Sequence, residues 1–239
     1  MYIKELKPLE NVGWDSSRTC LRGTRNAIIN GMVQWASNSE GSGPAKNNRI
    51  YILQGPRGCG KSSIAHSVAQ AFHLHNRLGA AIFLDDRTKE EIIESQILST
   101  TIASQLASYD QNIREAIAAK IKADASLARA DVERQFRDLI VSAIQGLALI
   151  GPICIIIDGL QKGNPVEQFR LLRAIAKYFT DLPSNFRLLL TSDTEVHLNT
   201  LRSLRRIALS KKSPSTMKEP LLILANISHS LFVTSSPRS

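Results

Sequence analysis

The sequence predicts an α/β fold: a three-layer αβα sandwich around a central, mostly parallel sheet, with an N-terminal helical flank and a poorly defined C-terminal tail. Three observations predict it. Short apolar runs of strand length alternate with longer segments of helical spacing through residues 49–200. One run, Pro152 to Ile157 (PICIII), is unbroken and rich in β-branched residues, as in a parallel strand covered on both faces. The first run feeds directly into a glycine-rich loop and then into a helix.

Taken in order, residues 1–23 are weakly patterned. Asn26 to Ala36 has Ile28, Ile29, Met32, Val33 and Ala36 at helical spacing, with Thr24 as an N-cap. Ser37 to Asn48 reads as a polar linker, which closes a flank over 1–48. Ile50 to Gln54 is the first strand, and Ser62 to His75 a helix with Ile64, Ala65, Val68, Ala69 and Phe72 inward. Gly79 to Leu84 is a second strand ending at Asp85-Asp86. Helices are expected over Thr88–Tyr109, Asn112–Ala123 and Ala130–Ile144. After the PICIII strand, Gly163-Asn164-Pro165 turns the chain into a helix over Val166–Thr180. Phe186 to Leu190 is the next strand, followed by Thr191-Ser192-Asp193. Residues 201–239 are expected to form a basic, irregular tail with one apolar stretch, Leu221 to Ile227.

The loop carries the chemistry. Gly55, Gly60, Lys61 and Ser62 fall on the template G-x-x-x-x-G-K-[ST] within Gly55-Pro56-Arg57-Gly58-Cys59-Gly60-Lys61-Ser62-Ser63. Polyphosphate oxygens need many donors at short range, and successive backbone amides of a tight loop supply them. Glycines allow positive φ and close approach, and the helix start adds open amides and the positive end of its dipole. Lys61 is expected at the β- and γ-phosphates, Ser62 at Mg²⁺ and Ser63 at a further phosphate oxygen; the side chains of Arg57 and Cys59 are given no role. This is the loop of a P-loop NTPase, expected over residues 49–200.

A magnesium ion at such a loop needs a carboxylate. Asp158 closes the most apolar strand, and in a parallel sheet that places it at the same edge as the loop. Asp85 and Asp86 hold a similar but more peripheral position. The residues after Asp158 are Gly159, Leu160, Gln161 and Lys162. None is a carboxylate, and hydrolysis needs a group that orients or deprotonates water. Slow or defective hydrolysis is therefore expected, and no catalytic residue is assigned.

Composition narrows the remaining classes. The net charge of +9 is spread thinly and aromatic residues make up 5%, which argues against a nucleic-acid interface. Cys20, Cys59 and Cys154 are odd in number and far apart, so neither a disulfide framework nor a zinc site is indicated, in keeping with a cytoplasmic location. MYIKELKPLE lacks the apolar core of a signal peptide. The uncharged stretch Leu139 to Ile157 is broken by Gly151-Pro152 and reads as helix end, turn and strand rather than a membrane span.

Several motifs in order resemble a known family. Cys20-Leu21-x-Gly23-Thr24-Arg25, a helix carrying Trp35, the G-x-x-G-x-G-K-S loop, a strand ending I-I-I-D-G-L and a later L-L-L-T-S are similar to the NACHT domain. They resemble more closely its nephrocystin-like N-terminal version in fungal STAND proteins, over roughly residues 15–200. The resemblance implies an ATP- or GTP-binding switch with Mg²⁺, in which fused repeat or effector domains and other protein partners sense ligands. It makes Gly55 to Ser63 the Walker A loop and Asp158 the Walker B aspartate, and it sets Thr24 and Arg25 near the base. Where the family continues with two acids this chain has Gln161 and Lys162, and where the family has Arg after T-S it has Asp193. Both departures fall at the γ-phosphate end. Two other readings stay open: an active NTPase or small-molecule kinase, and a nucleic-acid-binding protein using the basic C-terminal part.

Overall fold

In a computed structural model, residues 2–37, 49–84, 94–162, 164–192 and 222–226 are described. A parallel sheet forms the middle layer, with strands β1 (Ile50–Gln54), β2 (Leu78–Phe83), β3 (Ile153–Asp158), β4 (Phe186–Ser192) and β5 (Leu222–Asn226). They lie in the order β2-β3-β4-β1-β5, and every neighbouring pair is parallel.

The order explains the layers. The chain leaves β1 through helix α2 (Lys61–Leu74) and crosses two strand positions to reach β2 at the edge. It then returns step by step from β2 to β3 and from β3 to β4. Right-handed crossovers running in opposite directions must lie on opposite faces. Helix α2 and helix α1 (Asn26–Ser37) cover one face, with Met32, Ile64, Val68 and Phe72 against Leu53, Ile156 and Leu189. Helices α3 (Ser95–Tyr109), α4 (Gln111–Ala123), α5 (Val132–Arg134), α6 (Ser142–Ile144) and α7 (Pro165–Tyr178) cover the other, against Ile50, Ile52, Ile155, Ile157, Leu188 and Leu190. Both faces of the central strands are dry, so β3 and β4 are buried along their whole length.

The expected helix over 130–144 forms with a wide-turn insertion. Between α5 and α6, Gln135–Val141 adopts π-helical geometry, which an apolar periodicity cannot reveal. Asp131 caps it by accepting from the Glu133 and Arg134 amides, and Asn164 caps α7 by accepting from the Val166 amide. The helix expected from Thr88 is described from Ser95, and Asp85 and Asp86 lie outside the described residues.

The N-terminal flank is more ordered than its weak pattern suggests. Tyr2–Leu6 and Ser16–Arg18 are 3₁₀ turns, and Leu6, Leu9 and Val12 are buried in the core of the α3 face. The Phe83 amide donates to Val12 O (2.7 Å), so the flank is tied to the end of β2. Thr24 does not cap α1; its hydroxyl donates back to Leu21 O (2.7 Å) and closes the turn before the helix. In the tail expected to be irregular, the apolar stretch forms β5 and pairs with the free edge of β1. An unpaired edge beside so apolar a strand invites pairing.

Candidate functional site

The site stands on the C-terminal edge of the sheet, where β1 ends and α2 begins. Gly58 (φ +77°) and Gly60 (φ +91°) hold left-handed conformations that a side chain would strain. They turn the loop so that α2 starts at Lys61. The Gly55 amide donates to Ser192 O (3.4 Å), which anchors the loop to β4. The first amide of α2 with a helical acceptor is that of Ile64, on Gly60 O (3.0 Å). Those before it are the open amides of a helix start.

Lys61 is only 6% exposed. Its ammonium donates to Gly55 O (2.7 Å) and Pro56 O (2.9 Å), so it folds back across the concave side of the loop. Ser62 is exposed at the mouth and Ser63 half-buried. Arg57 points into solvent, whereas Cys59 is fully buried among the residues joining α1 and α2. Pro56 and Cys59 contribute backbone here: the Cys59 amide closes a turn on Pro56 O (3.3 Å).

Asp158 lies at the same edge and is 4% exposed. Strand alternation explains its direction: Ile155 and Ile157 face α3, so Asp158 shares the α2 face with Ile156. Its carboxylate accepts from Thr191 Oγ1 (2.6 Å) and is within hydrogen-bonding reach of the Ser62 hydroxyl. Burial raises its pKa above the ordinary carboxylate range, while the bonds from Thr191 and Ser62 and the charges of Lys61 and Arg18 oppose that rise. A carboxylate, a hydroxyl and an ammonium thus converge on one loop. Among the described residues no group of three His, Cys, Asp or Glu could hold a metal alone. Ser62 and Asp158 suit a hard cation whose other ligands are water and phosphate oxygen.

Gly159 follows with φ +82°, and a Cβ there would stand 2.2 Å from Leu84 O. The position beside Asp158 therefore admits no side chain. Leu84 is held by the bond from its amide to Asp158 O (2.9 Å). Leu160–Lys162 forms a 3₁₀ turn with Lys162 exposed, and the side chain of Gln161 lies outside the described residues, as does Asp193.

The segment before α1 reaches the loop from outside. Arg25, at φ +59°, donates from Nη2 to Cys59 O (3.4 Å). Upstream, the Asp15 amide donates to His66 Nδ1 (3.1 Å) and the Cys20 amide to Ser67 Oγ (2.9 Å), which lay the flank along α2. Thr24, by contrast, is exposed and occupied with Leu21.

The profile of the nephrocystin 3 N-terminal family matches residues 23–193. That is most of the chain and includes loop, Asp158 and Thr191. The chain belongs to the nephrocystin 3 N-terminal family. No curated protein matches it significantly. Among solved structures, that of C. elegans PCH-2 is similar, with a TM-score of 0.40 and 15% identity over 94% of this chain and 46% of that one. The chain spans less than half of that structure's length.

Within this nephrocystin-type domain the structure brings together the residues that their types had singled out, Lys61, Ser62 and Asp158 at the loop. Residue type alone missed Thr191 as the partner of Asp158 and Arg18 as a charge acting on it. Thr191 could have been found by aligning strand ends, since Asp158 and Thr191 both close apolar runs on one sheet face. Arg18 carried no signal, because residues 1–23 have no periodicity to place them.

Proposed function

We propose that this chain is the nucleoside-triphosphate-binding module, for ATP with Mg²⁺, of a NACHT- or STAND-type signalling switch, and that it hydrolyses nucleotide slowly or not at all. The convergence of Lys61, Ser62 and Asp158 on one glycine loop carries the reading. The amides from Gly58 to Ser63 would receive the inner phosphates, and Lys61 would exchange its two carbonyl partners for β- and γ-phosphate oxygens. Ser62 and Asp158 would hold magnesium, which neutralises phosphate charge, and Thr191 would keep the carboxylate oriented. Arg25 holds the loop from outside; with Thr24 it is the segment proposed to lie near the base.

Weak turnover follows from the surroundings of Asp158. Leu84 O excludes a base at position 159, and the sequence supplies Gln161 and Lys162 where the resemblance expects acids. Protein partners and effector domains, and a cytoplasmic location, belong to the same proposal. No helix among the described residues is long and apolar enough to cross a membrane. The test is binding of labelled ATP and GTP to wild type and Lys61→Ala, with and without Mg²⁺, beside a turnover assay. Tight magnesium-dependent binding lost in the variant supports the reading. Equal binding by both proteins overturns it, and brisk turnover overturns the hydrolysis part.

A further inference from the structure

One residue at the site is used by nothing described so far. Gln54 is the last residue of β1, directly before Gly55, and is 2% exposed. Its Nε2 is buried and donates to no acceptor among the described residues. A buried amide donor left unmade is costly, and such groups in folded proteins call for an explanation.

Position suggests one. Gln54 is paired in register with Ser192, whose carbonyl accepts from the Gly55 amide. The Lys61 ammonium rests on Gly55 O, one residue from Gln54. The backbone next to Gln54 thus carries a cation, and a donor near a cation is best satisfied by an anion. Strand alternation sets the side. Ile50 and Ile52 face α3 and α7, so Gln54 shares their face, while Asp158 and Thr191 stand on the α2 face. A phosphate group reached by Lys61 would meet the metal-holding residues from one side of the sheet edge and Gln54 from the other. On that second side Gly159 offers no side chain.

We propose that Gln54 is a terminal-phosphate sensor: its Nε2 donates to a γ-phosphate oxygen and makes the loop distinguish nucleoside triphosphate from diphosphate. The inference rests on the nucleotide reading above. Gln54 has no basic atom, so it does not deprotonate water. The contact gives a weakly hydrolytic switch a means of registering which nucleotide it holds.

The test is the ratio of ATP to ADP affinity, measured with Mg²⁺ by calorimetry on wild type, Gln54→Leu and Gln54→Glu. A hydrogen bond to a charged group is worth roughly tenfold or more in affinity. Gln54→Leu should therefore lower ATP affinity about tenfold with ADP affinity unchanged. Its urea midpoint without nucleotide should be no lower than wild type, because a buried donor with no acceptor among the described residues is gone. Gln54→Glu, with an anion in place of the donor, should reduce the ratio further. An unchanged ratio in both variants overturns the sensor while leaving nucleotide binding intact. An equal fall for ATP and ADP also overturns it, since that marks a loop-shaping role. Absence of nucleotide binding in wild type overturns the parent reading and the sensor with it.

Discussion

The two edges of the sheet both bury basic side chains, but they use them differently. At the C-terminal edge, Lys61 donates to Gly55 O and Pro56 O, six and five residues away within its own loop, beside Asp158 and Ser62. At the N-terminal edge, Arg49 donates to Phe186 O (3.3 Å), Thr180 O (3.2 Å) and Pro183 O (2.6 Å), all more than 130 residues away, and lies over the Phe179 ring. Arg187 donates from Nη1 to Ser184 O (2.7 Å) and Phe186 O (3.0 Å). Burial, then the neighbouring Arg187 charge, pull the Arg49 pKa down to about 10. Burial alone therefore does not mark a functional cation. Arg49 stitches the chain end to end, and releasing it would open the turn before β4. The Lys61 bonds to Gly55 O and Pro56 O stay within its own loop, so a ligand that replaces them need not part distant segments.

That contrast can be broken or sharpened by experiment. The largest effect is expected for Lys61→Ala, with ATP affinity down about 100-fold or more, near 3 kcal/mol, and little change in the urea midpoint. Loss of folding with retained binding would reverse the roles of the two edges. Gly159→Ala should destabilise by about 2–3 kcal/mol in urea unfolding, from strain at positive φ and the Leu84 carbonyl. A neutral result would show that position 159 has room for a base. Arg49→Met should destabilise by about 2 kcal/mol, since three carbonyls lose a shared donor, with nucleotide affinity of the folded protein unchanged.

The smallest effect is expected for Asp158→Asn, with magnesium-dependent affinity down about tenfold and stability without ligand unchanged or higher, because a desolvated charge is removed. The sign of the pH dependence follows from its raised pKa. The native state then holds the proton to higher pH than the unfolded chain does. Asp158 accordingly subtracts stability as pH rises from the unfolded value through the folded one. The magnesium contribution needs the ionised form, so it should fade, as pH falls, at a higher pH than an ordinary carboxylate would give. Titrating binding against pH in wild type and Asp158→Asn checks this, and parallel profiles would remove Asp158 from the metal site.

Much of this was legible in the residues, because local rules reach it. The strand, loop and helix around Lys61 follow from chain-local spacing, and glycines at 58 and 60 declare the positive φ they adopt. The unbroken apolar run before Asp158 announced a covered parallel strand. Which face that aspartate takes, that Thr191 holds it, and that Gln54 stands on the opposite face depend on strand order and register. Residues far apart in the chain, such as Asp158 and Thr191, meet only after the sheet assembles, and no periodicity along the chain records that meeting. The same holds for Leu84 O against Gly159, a steric limit created by two strands lying side by side. Residue type and spacing along the chain specify the loop and the fold class; packing specifies which side chains surround the loop, because those contacts are set by layers and register.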